Sequence, residues 1–204
     1  MVEQLVECIR NKDQQTEQQE QSQACLETAE SRQMKTKCQR AMSQLYQMYV
    51  EELSSVCYRY VPTESDAKDV LQNSFIKIFT SLSTFEYRDE PSFVAWMKKV
   101  VVNEAIIFLK ERKKLSFVNQ DVNQLQISEE EPEVERITAD ELHQLISELP
   151  DGYRTVVNLF VFEDYSHREI AEMLGIKENT SASQLYHAKR LLARTIKELI
   201  NKKR

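Results

Sequence analysis

Residues 166 to 194, SHREIAEMLGIKENTSASQLYHAKRLLAR, carry the side chains best suited to gripping an acidic polymer. From Gln184 to Arg204 seven bases, Lys189, Arg190, Arg194, Lys197, Lys202, Lys203 and Arg204, stand against the single acid Glu198. Positive charge gathered on one helix favours phosphate. Ahead of it, Ser166 and Glu169 have the spacing of a capping box, in which hydroxyl and carboxylate satisfy the donors that a helix start leaves open. Ile170, Leu174 and Ile176 give that helix an apolar side, and Gly175 can take the left-handed conformation that ends a helix and turns the chain. A second helix then starts near Glu178 to Thr180. Two short helices around a glycine, the second running into positive charge, have the form of a helix-turn-helix that reads DNA. Any pair of amphipathic helices around a glycine gives the same pattern, so a plain helical hairpin stays open at this point.

Other chemistries find little support. His143, His167 and His187 have no nucleophile or carboxylate partner that the sequence identifies, and two glycines are too few for a phosphate-cradling loop. Cys8, Cys25, Cys38 and Cys57 lack the close pairs that zinc sites use and read as reduced cytosolic thiols. The expectation is a protein without enzymatic activity, cofactor or metal. No apolar run is long enough to span a bilayer, and the first residues lack a hydrophobic signal core, so a soluble, cytoplasmic protein without membrane insertion is expected.

The elements that must position the charged helix are helical throughout. In 204 residues, two glycines and four prolines leave little material for turns between strands. Residues 1–38 hold eight glutamines and few large apolar side chains after Ile9, and read as a flexible or loosely helical extension. From Ala41 the residues Leu45, Met48, Tyr49, Leu53, Val56 and Tyr60 recur at helical spacing until Pro62. A second helix follows a cap at Thr63 or Ser65. It has Val70, Leu71, Phe75, Ile78, Phe79 and Leu82 on one side and Asp66, Asp69, Asn73 and Lys77 on the other. A third helix, from Ser92 to about Lys114, is apolar nearly all round and therefore central. Taken alone, its Asn103 reads as an amide buried and hydrogen-bonded within a bundle, and its basic end, Lys110, Arg112, Lys113 and Lys114, as a complement to the helix dipole. Residues 118 to 141 carry eight acids against Arg136 and account for the net charge of -6; such a block stays solvated. Beyond it come a helix from about Ala139 to Leu149, another marked by Val156, Val157, Phe160 and Val161, and the two helices of the motif. The last of these is expected to bury Leu185, Ala188, Leu192 and Leu199.

The segments TESDAKDVLQNSFIKIFTSL and FVAWMKKVVVNEAIIFLKERKK, followed by ELPDGYRTVVNLFVFEDYSHREIAEMLGIKENTSASQLYHAKRLL, resemble regions 2 and 4 of the extracytoplasmic-function (ECF) sigma factors of bacterial RNA polymerase. The resemblance covers roughly residues 41 to 114 and 136 to 198. It implies an all-α protein of two small helical domains, 39–115 and 136–204, joined by a flexible acidic linker at 116–135. It implies that the face bearing Asp66, Asp69, Gln72 and Asn73 docks on the clamp coiled coil of core polymerase. The linker would thread toward the active-site and RNA-exit channels, where its charge imitates phosphate. Phe85, Lys98, Lys99, Asn103 and Arg112 would contact the -10 region, where a base drawn from the stack needs a polar reader and an aromatic wall. Trp96 is expected to be core. Thr180, Ser181, Ser183, Gln184, Tyr186, His187, Lys189 and Arg190 would meet the -35 element in the major groove, Arg190 at a guanine or a phosphate.

The partners so implied are core RNA polymerase, promoter DNA and an anti-sigma factor, which in many relatives is held at the membrane. Three positions depart from the family pattern. Lys177 and Ala182 stand where a serine cap and a lysine are usual, and Lys68 stands where an acid is common. The alternative readings are a stand-alone helix-turn-helix regulator, which has no use for a strand-opening helix, and a helical scaffold or anti-sigma-like adapter, for which the basic helix ends would be incidental.

Overall fold

A computed structural model describes residues 1–10, 29–112, 115 and 137–203. The acidic linker, Cys25 and the centre of the glutamine-rich extension lie outside the described residues. Among those described every regular element is a helix. The chain divides into two compact units, residues 1–58 with 63–104 and residues 59–62 with 105–204.

In the first unit α1 spans residues 2–10, α2 Ala29–Tyr60, α3 Glu64–Ser81, and α4, Glu90–Glu111, begins there. The extension, expected to be flexible or loosely helical, carries helix at both of its described ends. In α1, Val2, Val6 and Ile9 fall on one side and are buried, and α2 begins well before Ala41, with Cys38 buried. The residues between Ala29 and Ala41 include Gln, Lys, Arg and Met without Gly or Pro, all strong helix formers, so propensity favours continuing the helix backward. Leu45, Tyr49, Leu53 and Val56 from α2, Val70, Phe75 and Ile78 from α3, and Phe93, Met97 and Val101 from α4 are buried. Spacings of three and four residues put the α2 and α4 sets each on one face, and α3 does the same through Ala67, Val70, Ser74 and Ile78, with Phe75 beside them. Burial pushes the Cys57 thiol up to about 12, which leaves it protonated and unreactive at neutral pH.

The turn into α4 is set by Asp89, whose Oδ1 accepts from the Ser92 amide at 2.7 Å. This backbone donor holds the Asp89 carboxyl below its ordinary value. The connecting loop folds onto α4 through aromatic rings. Phe85 stacks on Trp96 at 4.4 Å and lies 5.5 Å from Phe93, while Tyr87 and Tyr49 each lie 5.9 Å from Phe93. Phe93 is the ring that enters the core; Trp96, expected there, is half-buried at the loop.

The second unit contains α5 (Ala139–Ser147), α6 (Asp151–Val157), a π-helical turn (Asn158–Phe162), α7 (His167–Leu174) and α8 (Glu178–Lys202). α5, α6 and α7 each pack on α8. Thr138 and Glu141 cap α5 reciprocally. Leu145, Ile196 and Ile200 form a buried cluster, with Ile137, Leu142, Leu192 and Leu199 packed against it at its edge. The wider π turn shifts which side chains face inward. Leu159 is fully buried, whereas Val161, expected among the apolar anchors, is exposed and Phe160 only half-buried.

Candidate nucleic-acid and polymerase interface

The helix-turn-helix forms as its residue types dictate. The Ser166 side chain accepts from the Glu169 amide at 3.3 Å, and Glu169 Oε2 accepts from the Ser166 amide at 2.9 Å. Gly175 closes α7 at φ +70° and ψ +37°, with nothing near the place a Cβ would take. Glycine is required there by the backbone angle and not by space. At the start of α8 the N-cap is Lys177, whose side chain makes no capping hydrogen bond. The amides of Thr180 and Ser181 bond back to the Lys177 carbonyl at 2.9 and 3.1 Å. A lysine here also sets a cation against the positive end of the helix dipole. Lys177→Ser is therefore expected to stabilise the protein by about 1 kcal/mol. The check is the urea-unfolding midpoint, and an unchanged midpoint would contradict an uncapped α8.

The outward face of α8 is not the set expected from the sequence. Asn179, Ala182, Tyr186 and Lys189 are exposed at helical spacing, and the Arg190 guanidinium lies 5.5 Å over the Tyr186 ring. That geometry holds the arginine beside the exposed ring. Ser183 and Thr180 are half-buried, with the Ser183 hydroxyl donating to the Thr180 carbonyl at 3.0 Å. Ser181 and Gln184, expected among the DNA contacts, are turned inward with exposures of 0% and 1%. The Ser181 hydroxyl meets His167 Nδ1 at 3.0 Å. His187 is half-buried between Tyr186 and Tyr153, and burial, then the neighbouring Arg190 guanidinium, lowers its pKa. It is a neutral ring at physiological pH, able to donate a hydrogen bond but adding no charge. Asn179 was missed by sequence reasoning, and Ala182 was noted only as a departure from the family pattern. Their signal was available, since they continue the Tyr186–Lys189 stripe back by three and four residues.

On α4, Lys99 and Asn103 are exposed and one turn apart. Asn103 is therefore not the buried amide that the apolar run suggests; its neighbour Glu104 takes the inward position, paired with Lys77 of α3. An apolar run of this length fills the core on more than one side and still leaves one stripe outside, and Asn103 occupies it. Lys98 differs from Lys99. Its ammonium pairs with Glu52 of α2 at 2.7 Å and lines a groove with Glu52, Glu90, Pro91, Val94 and Ala95. Arg112, in the turn after α4, lies 5.0 Å over the Phe108 ring. Phe85 is half-buried in its stack on Trp96.

On α3, Asp69, Gln72 and Asn73 are exposed and Asp66 half-buried. Ile76, 53% exposed, stands one turn beyond Gln72 and Asn73 on the same side, a large apolar residue that sequence reasoning overlooked. Its signal is that it falls out of phase with Phe75 and Ile78. Lys68 pairs with Glu64 at 2.6 Å, both strongly exposed, so it neutralises its own helix turn.

The first unit thus presents a polar face on α3 and an exposed amide on α4, and the second a helix-turn-helix whose second helix runs into positive charge, an arrangement that suits a protein binding DNA. Among the described residues no helix is long and apolar enough to cross a membrane. The family model for sigma-70 region 2 matches residues 45–115, and that for sigma-70 region 4 matches residues 139–192. The chain is 30% identical over 142 residues to the RNA polymerase sigma factor SigV of Bacillus subtilis, covering 70% of this chain and 82% of that one. It is 23% identical over 180 residues to the ECF RNA polymerase sigma factor SigW of the same organism, covering 82% and 95%. To the ECF RNA polymerase sigma-E factor of Haemophilus influenzae it is 27% identical over 178 residues, covering 79% and 90%. The chain belongs to the sigma-70 family of RNA polymerase sigma factors, in its ECF subfamily.

Proposed function

We propose that the division of labour follows the exposed faces. The α3 face of Asp66, Asp69, Gln72 and Asn73, with Ile76 as its apolar centre, docks on core polymerase. Lys99 and Asn103 of α4, with Lys98 and the Phe85 loop, and Arg112 further along the chain, engage the -10 strand as it opens. Asn179, Ala182, Tyr186, Lys189 and Arg190 of α8, flanked by Thr180, Ser183 and His187, read the -35 element. The protein acts in the cytoplasm, has no catalytic activity of its own, and supplies promoter choice to the polymerase. An anti-sigma partner would act by covering one of these faces.

The exposure of Asn103 carries this reading. An uncharged amide held in water on the central helix of a bundle contributes nothing to the core, while its donor and acceptor suit an unpaired base edge. A stand-alone regulator is not favoured, because the family match extends over α2, α3 and α4, which a duplex-only reader would not need. Run-off transcription with purified core enzyme, on fragments upstream of transcripts induced by overexpression, tests the whole assignment. Initiation dependent on the added protein is expected; absence of both core binding and initiation on every fragment would reject it.

A further inference from the structure

We infer that His167 is a positioning residue for promoter reading, one that fixes the rotation of α8 in the groove through a hydrogen bond to Ser181. This rests on the assignment of α8 to the -35 element. Three observations meet at this ring. His167 is the first residue of α7, and its Nδ1 lies 3.0 Å from the Ser181 hydroxyl on the first turns of α8. Phe160 stacks on the imidazole at 4.6 Å with the planes 20° apart, which sets the ring's orientation. Ser181 is wholly buried, and the exposed stripe begins on either side of it, at Asn179 and Ala182.

The physical point concerns direction. Apolar contacts such as those of Leu185 and Ala188 hold α8 against the unit but tolerate a small rotation or slide, because burial has no preferred angle. A hydrogen bond to a buried hydroxyl does have one. On a helix each residue turns the side-chain direction by roughly 100°. Fixing Ser181 inward therefore fixes where Asn179, Ala182 and Tyr186 point. The buried Ser181 hydroxyl is best understood as a registration point that the outward residues depend upon, without touching DNA itself.

Substitutions can separate the stack from the hydrogen bond. His167→Phe keeps a ring for Phe160 and removes the bond; His167→Asn places an amide near the Nδ1 position and gives up the stack; Ser181→Ala removes the other partner. The full chain is bound to core polymerase, and affinity is measured for a duplex carrying the -35 element of a promoter mapped in run-off transcription, against a scrambled duplex at the same salt. The expected result is a loss of about fivefold in the promoter-to-scrambled ratio for His167→Phe and for Ser181→Ala, the size of one net hydrogen bond. The double variant should lose no more than either single one, His167→Asn should retain most of the ratio, and binding to the scrambled duplex should stay unchanged because phosphate contacts need no fine register. Equal losses on both duplexes would mean general loosening and would overturn the inference, as would additive single effects or a normal ratio for His167→Phe. If Asn179→Ala, Tyr186→Ala and Arg190→Ala all leave the wild-type ratio intact, α8 is not the reading helix, and the assignment falls along with the inference.

Discussion

Arg154→Ala is expected to destabilise the second unit by about 3 kcal/mol or more, the largest single effect that the structure implies. The guanidinium is 4% exposed. Its Nη1 donates to the carbonyls of Ser147 at 3.2 Å and Leu149 at 2.7 Å, and its Nη2 pairs with Asp151. Those carbonyls lie at the end of α5, where a helix leaves acceptors without intrahelical donors and where its dipole favours a cation. One side chain therefore closes α5, joins it to α6 and neutralises Asp151. Truncation to alanine would leave buried acceptors unpaired and a cavity the width of the side chain. Arg154→Lys should recover only part of the loss, since an ammonium cannot present the forked donors that serve two carbonyls at once. Urea unfolding followed by circular dichroism measures the change. Trp96, the only tryptophan, sits in the first unit and reports on that unit by fluorescence. A circular-dichroism midpoint shifted by less than about 1 kcal/mol would show that Arg154 is replaceable.

Asn103→Ala is expected to reduce promoter opening by about tenfold, equivalent to about 1.4 kcal/mol, while closed complexes and stability stay near those of the parent. The flanking residues Val101, Val102, Ala105 and Ile106 are buried and do not depend on the amide. An exposed Asn→Ala change on such a helix moves stability by about 0.5 kcal/mol at most. If the amide meets an extruded base, its loss removes a contact made only once the strands part, so the defect belongs to opening and not to recruitment. Permanganate reactivity of unpaired thymines, set against duplex binding before opening, separates the two. Normal reactivity would remove Asn103 from the site. Lys99→Ala gives a useful contrast. A lost phosphate contact weakens both steps and lowers the salt slope of binding by about one charge.

Much of the architecture was legible in the sequence, for identifiable reasons. Ser166, Glu169 and Gly175 act locally, through the orphan donors of a helix start and the left-handed angle at its end, so their types and spacing sufficed to place α7 and the turn. The apolar spacing of α2 and α3 likewise announced their inward faces. The extension was less legible, because glutamine content describes solvation and says little about whether a short set such as Val2, Val6 and Ile9 finds a core to enter. The π turn was invisible, since its effect is to break the period by which faces are counted; hence Val161 was placed inward and Leu159 passed over.

For the candidate site, the sequence determined the inventory: a cationic last helix, a polar face on α3, a lone amide in an apolar run, and two motifs whose order and separation mark an ECF sigma factor. Only the tertiary structure decided which of those side chains face water. It turned Asn103 out and Glu104 in, drew Lys98 into a pair with Glu52, and buried Ser181 and Gln184 while exposing Asn179 and Ala182. The reason is physical. Residue type fixes what a side chain can bind, but a polar residue on a helix turns inward or outward according to whether a partner such as His167 or Lys77 waits on the neighbouring helix, and that depends on packing between segments far apart in the chain.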